Sequence, residues 1–125
     1  MTTTITLHKG YLDINSSDWE LIAHEFEEIF LQFGQKVLDP GLVQQAREQE
    51  RAEYYDLRIL KNKQLDKYVI YGHHFTPYGK SNYPKYCGAK ATESNLEEKL
   101  TLVTTCLGLP PQIEEACLKE IKEEN

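Results

Sequence analysis

Residues 17–37 read SDWELIAHEFEEIFLQFGQKV, and the way this stretch folds decides how the rest of the molecule is built. Ser17, with Glu20 three positions on, has the form of a capping box, the pairing that satisfies the free N–H groups at a helix start. Trp19, Ile22, Ala23, Phe26, Ile29, Phe30, Phe33 and Val37 then recur at helical spacing. The pattern predicts an amphipathic helix whose aromatic stripe anchors the core.

On the N-terminal side, residues 4–8 and 11–14 read as two strands. Lys9 and Gly10 join them, and the glycine supplies the positive φ that a two-residue hairpin turn needs. On the C-terminal side, Gly34 ends the stretch. Asp39 then reads as the cap of a second, mostly polar helix, with Pro40 in its first turn, running to about Ala52. From Tyr54 the period becomes two, with Tyr55, Leu57 and Ile59 on one face and Asp56 and Arg58 on the other. The polar turn KNKQLD follows, then KYVIYGHHF, and the Tyr, Val and Ile content favours a hairpin over a continued helix.

Residues 76–92 keep neither period and read as a long loop broken by Pro77, Gly79, Asn82, Pro84 and Gly88. Loops of this length in a small domain are commonly functional. Ser94 with Glu97 forms a second capping box. Leu96, Leu100, Val103 and Leu107 make a helical stripe that Gly108 stops. Pro110 and Pro111 open a last helix, with Ile113, Ala116, Cys117 and Ile121 facing inward. Together these predict an α+β fold in a single domain over residues 1–125: a small antiparallel sheet from two β-hairpins, packed against the amphipathic helix, with two C-terminal helices.

Composition is uneven along the chain. Net charge is −6, yet the stretch from Lys67 to Ala91 holds four lysines and no acid, so the remainder carries −10. The same stretch holds five of the eight tyrosines, together with His73 and His74. Lysines attract phosphates and carboxylates, and tyrosine faces offer broad contact at low entropic cost. The expected site is therefore the segment 71–90, with Tyr71, His73, His74, Tyr78, Lys80, Tyr83, Lys85, Tyr86 and Lys90 as binding residues. The expected partner is acidic, either nucleic acid or an acidic protein surface, and the protein is a small binding or regulatory one.

Two further readings belong to other classes. In one, His73 or His74 is a general acid–base and Tyr78, Lys80 or Tyr86 steadies an anion. In the other, the glutamates at 25, 27 and 28 and at 114, 115, 120, 123 and 124 fill a basic groove on a partner. Neither a metal nor a cofactor is expected. The three cysteines are scattered, His73 and His74 fall on opposite faces of a strand, and Gly79-Lys80-Ser81 lacks the earlier glycine of a phosphate loop, His74 standing in its place. The apolar runs are too short to span a membrane, and the N-terminus lacks a secretory pattern. Three cysteines cannot all pair within one chain. A reduced, cytoplasmic protein is the expectation, with Cys87 a half-buried thiol and Cys106 and Cys117 packing residues.

Overall fold

The computed structural model describes residues 4–5, 14–15, 18–33, 35–49, 51–77 and 84–124. In chain order these form β1 (Thr4–Ile5), β2 (Ile14–Asn15), β3 (Trp19–Ile29), β4 (Leu31–Gln32), β5 (Gln35–Lys36), α1 (Pro40–Glu48), β6 (Glu53–Asn62), β7 (Tyr68–Phe75) and β8 (Lys85–Ala91). A turn of 3-10 helix (Glu93–Asn95), α2 (Leu96–Leu107) and α3 (Pro111–Glu124) complete the order. The four long strands make one antiparallel sheet in the order β3-β6-β7-β8. α2 packs against β7 and β8, and α3 packs against β3. The α+β class read from the sequence holds.

The stretch 17–37 is a correction. Where a helix is expected, Trp19–Ile29 is a strand in register with β6, from Trp19 opposite Asn62 to Ile29 opposite Glu53. The register slips between Leu21 and Ala23. Such a bulge sends two consecutive residues to one face and breaks the two-residue alternation that marks a strand. Ile22 and Ala23 are both buried against the helices as a result. That doublet, four residues before Phe26, is what gives the sequence its helical look. Phe26 is 50% exposed and Phe33, with φ 53° at a turn, is 96% exposed, so neither anchors the core. Pairing along the whole of β6 outweighs a local preference of a few tenths of a kcal/mol per residue.

The expected hairpin forms from β6 and β7, with Ile59 opposite Ile70 and Tyr55 opposite His74. Asn62 shapes its turn by accepting hydrogen bonds from the Gln64 and Leu65 N–H groups, both at 2.9 Å. Its C-terminal neighbour is the second correction. Residues 85–91, expected within a loop, form β8, with Lys90 opposite Val69 and Lys85 opposite His74. Gly88 and Pro84 obscured it, because glycine and proline are poor strand residues except at edges, and β8 is an edge.

β1 and β2 pair separately, Ile5 opposite Ile14, and their expected turn lies outside the described residues. α1 is capped as expected: the Asp39 carboxylate accepts from the N–H groups of Gly41 at 2.8 Å and Leu42 at 3.3 Å. It ends at Glu48, earlier than expected. Before α2, the Thr92 N–H donates to Asn95 Oδ1 at 2.7 Å, so the cap starts at Thr92 rather than Ser94. Gly108, with φ 73°, closes α2.

One face of the sheet presents Tyr55, Leu57, Ile59, Tyr68, Ile70 and Cys87 to Leu100, Val103, Leu107 and Cys117 of the helices, and this is the core. Each large aliphatic side chain buried there contributes about 1.5–3 kcal/mol. The other face has a smaller cluster, Leu60 and Val69 flanked by Trp19 and Tyr71. α1 reaches that second face at the β3 side, where Arg47 Nε lies 3.4 Å from a Glu28 carboxylate oxygen.

Candidate binding site at the outer strand

Strand register sorts the expected site residues. Residues directly opposite one another in a ladder share a face. His73 stands opposite Asp56 and Tyr86, Tyr71 opposite Arg58 and Gly88, and Lys90 opposite Val69. This row faces away from α2 and α3. His74 and Lys85 are opposite each other on the helix side. The two histidines thus lie on opposite faces, as expected. The core, however, lies under Ile70 and His74 rather than under Val69 and His73. Tyr78, Lys80 and Tyr83 lie outside the described residues.

His74 is a tie between elements. Its Nδ1 donates to the Leu107 carbonyl at 2.7 Å, and its Nε2 sits 3.2 Å from Glu53 Oε2. The ring therefore joins β7 to the last turn of α2, where carbonyls lack intrahelical partners. His73 instead belongs to a train of rings: its centroid is 5.5 Å from that of Tyr54 and 5.4 Å from that of Tyr86, and Tyr54 stacks on Phe75 at 5.6 Å. Beside the train, Asp56 Oδ1 lies 2.8 Å from His24 Nε2 and accepts from Arg58 Nε at 3.1 Å. Arg58 also donates from a terminal nitrogen to Asp56 Oδ2 at 3.3 Å. The Asp56 carboxylate holds the guanidinium above its ordinary pKa, and burial raises that of the Tyr71 phenol despite the cation beside it. Sequence reading missed His24, Asp56 and Arg58 as a group because the contact spans 32 residues and depends on β3 being a strand.

β8 is the last strand of the sheet, and among the described residues no strand pairs along its far side. A disulfide joins Cys87 on β8 to Cys106 on α2, with Cα atoms 6.4 Å apart. This corrects the expectation that Cys87 and Cys106 are free thiols; Cys117 is free and buried, as expected for a packing residue. On α2, Lys99, Leu102 and Cys106 recur at positions i, i+3 and i+7, which places them on one face. Between that face and β8 runs a groove of about 320 Å³, bounded by Tyr86, Cys87, Gly88 and Ala89 on the strand and by Lys99, Leu102 and Cys106 on the helix. Leu102 is 55% exposed and Tyr86 38%. Lys99 lines the groove, and Lys85, on the helix side opposite His74, precedes Tyr86 on the same strand; neither is ion-paired among the described residues.

The opposite edge of the sheet is closed differently. The Glu120 side chain of α3 accepts a hydrogen bond from the backbone N–H of His24, and its carboxyl is pushed up in pKa by burial and by nearby Glu25. Among the described residues, no three His, Cys, Asp or Glu side chains are grouped so as to hold a metal ion, and no helix is long and apolar enough to cross a membrane. The chain matches no family model, no curated protein and no solved structure. An unpaired strand edge beside a cationic, partly apolar groove can accept an extended peptide. Its backbone would complete the ladder, and alternate side chains would enter the groove.

Proposed function

We propose that the protein is a binding protein that holds an acidic segment of a partner protein as an added strand along β8. The observation that carries this reading is the groove between β8 and α2. Among the described residues, an unpaired edge, the exposed Leu102 side chain and Lys99, which has no carboxylate partner, meet there, with Lys85 next to Tyr86 on the strand. Lysines also guard sheet edges against unwanted pairing. Here Lys99 lines a cavity able to take a side chain, which supports selection of a partner rather than exclusion of all. The disulfide supports the same reading, because it fixes the edge to the helix and lowers the ordering cost of binding.

Nucleic acid is the less supported acidic partner. On the face that bears the rings, Arg58 is bonded to Asp56 and Arg47 to Glu28, which leaves Lys90 as its unpaired cation among the strand residues. Binding along the many phosphates of a nucleic-acid backbone draws on several unpaired cations at once, unlike the binding of one phosphate group. The acid–base reading loses one of its two histidines to the bond between β7 and α2. The reading in which glutamates fill a partner's groove is weakened by β3, whose Glu28 faces away from α3 while Glu25 and Glu27 face toward it. For location, the Cys87–Cys106 bond supports an oxidising compartment over the cytoplasm expected from the sequence.

Selection from a displayed random-peptide library tests the proposal. Enriched peptides are expected to alternate acidic with large apolar residues. Amide chemical shifts should move along β8, and Leu102→Asp should weaken binding of a selected peptide tenfold or more, on the order of the loss of an anchor residue. Single-stranded oligonucleotide that binds at the same lysines, while no acidic peptide is enriched, would overturn the choice of partner. Enriched peptides that bind Leu102→Asp and a Lys85→Glu/Lys99→Glu variant as tightly as the native protein would overturn the site.

A further inference from the structure

A second cavity lies on the other side of the molecule, where α1 meets the uncovered face of the sheet. It has a volume of about 420 Å³ and is lined by Phe26, Arg47, Tyr54, Asp56, His73 and Phe75, with Ala52 and Pro84 at its ends. That size falls within the range of pockets that take small organic ligands. It is separate from the β8 groove and draws on different elements.

Three features of this cleft define a ligand. Its walls are flat and aromatic: Tyr54 and Phe75 stack with an interplanar angle of 28°, and Phe26 of β3 is 50% exposed beside them. A planar ring is the shape that such faces accept. Its cation is Arg47, at the end of α1, with a side chain that is 45% exposed and braced by Glu28 at 3.4 Å. A guanidinium presents five donors, so Glu28 leaves several for an anion, and phosphate and carboxylate fit their forked geometry. Its acceptor is Asp56. The contacts from His24 and Arg58 occupy three of the roughly four lone-pair sites of a carboxylate, which leaves capacity for one further donor.

From these we infer that the cleft binds a nucleoside monophosphate, with the base against the Tyr54–Phe75 stack, one base N–H or amino group on Asp56, and the phosphate on Arg47. Every common base offers such a donor, so the cleft selects the class and not one base. Discrimination falls instead against ribose phosphates, which have no ring to stack, and against free bases, which have no anion for Arg47. His73, in edge-on contact with Tyr54, closes the side of the cleft nearest β8.

Isothermal titration of the full chain with AMP, GMP, CMP and UMP, and with ribose 5-phosphate as the control, tests this. Saturable binding of the nucleotides and none of the sugar phosphate is expected. Arg47→Ala should weaken nucleotide binding about tenfold or more, the usual scale for a charge-assisted bond. Phe26→Ala alters a half-exposed side chain and should weaken it severalfold while leaving the melting temperature unchanged. Leu102→Asp, across the molecule, should not affect it. Absence of heat with all four nucleotides, or equal affinity for ribose 5-phosphate, overturns the proposal. So does nucleotide binding that survives both Arg47→Ala and Phe26→Ala.

Discussion

At Gly72 a methyl group would sit 2.5 Å from the Asp56 carbonyl oxygen and 3.1 Å from Leu57 Cα. Backbone cannot yield as a flexible side chain can, so β6 and β7 approach each other at a distance that only glycine allows. Gly72→Ala is expected to cost about 1–3 kcal/mol, the scale of overpacking in a core, and urea unfolding measures it. A second residue-scale prediction concerns Glu120, one of whose carboxylate oxygens is buried without a hydrogen-bond partner. Burial and the Glu25 charge raise its pKa above the ordinary carboxylate value of 4.5, so ionisation costs the folded state. Glu120→Gln keeps an acceptor for the His24 N–H and removes the charge. It should raise the melting temperature at pH 7, and the difference should fade as pH falls through the raised pKa toward 4.5. A benefit that persists below pH 4 would show that charge is not its source. Glu27 has the opposite sign. Its bond to Lys36, with a further hydrogen bond from Tyr55, lowers its pKa, so the stability it lends is present above 4.5 and is lost on acidification below it.

Among the elements, β8 is held by its ladder to β7 and by its disulfide to α2. The bridged cysteines are 19 residues apart, and closing a loop of that size stabilises by about 3 kcal/mol in the chain-entropy account. Cys106→Ser should therefore lower the melting temperature by about 10 °C and loosen the edge on which the proposed peptide binding depends. Hydrogen exchange should then quicken in β8 before β6. Cys117 offers an internal control: it is fully buried, and its thiol pKa is pushed up to about 12 by burial and by Glu120, Glu25 and Glu114. A thiol reagent should find no reactive group in the native protein and one after denaturation without reductant. The same element scale shows what could be read from the chain. The β6–β7 hairpin, the cap of α1, the stripe of α2 and the stop at Gly108 all declare themselves through local period or capping chemistry. β3 and β8 do not. One is disguised by a bulge that puts Ile22 and Ala23 side by side, and the other by a glycine and a proline that an edge tolerates. The basic, aromatic segment stood out by composition, but the sorting of its residues onto two faces depends on register, which no single strand reveals. Asp56 with His24, and Leu102 with Tyr86, come together only once the strands are ordered.

Taken whole, the molecule is two-sided. Helices cover one face of the sheet, and the other carries rings, two bridged carboxylates and α1 at one margin. It is also unequal from edge to edge. β3 has a bulge and a carboxylate from α3 on a backbone N–H, whereas β8 has no further strand beside it among the described residues. A protein that grows by joining unlike edges needs both to be receptive, and the chain that results has no natural end. Here one margin is stoppered. A second copy that met the first by setting β8 against β8 would bring lysines against lysines. Repulsion there works against stacking into fibres, and under the proposed function that margin receives a visitor of opposite charge.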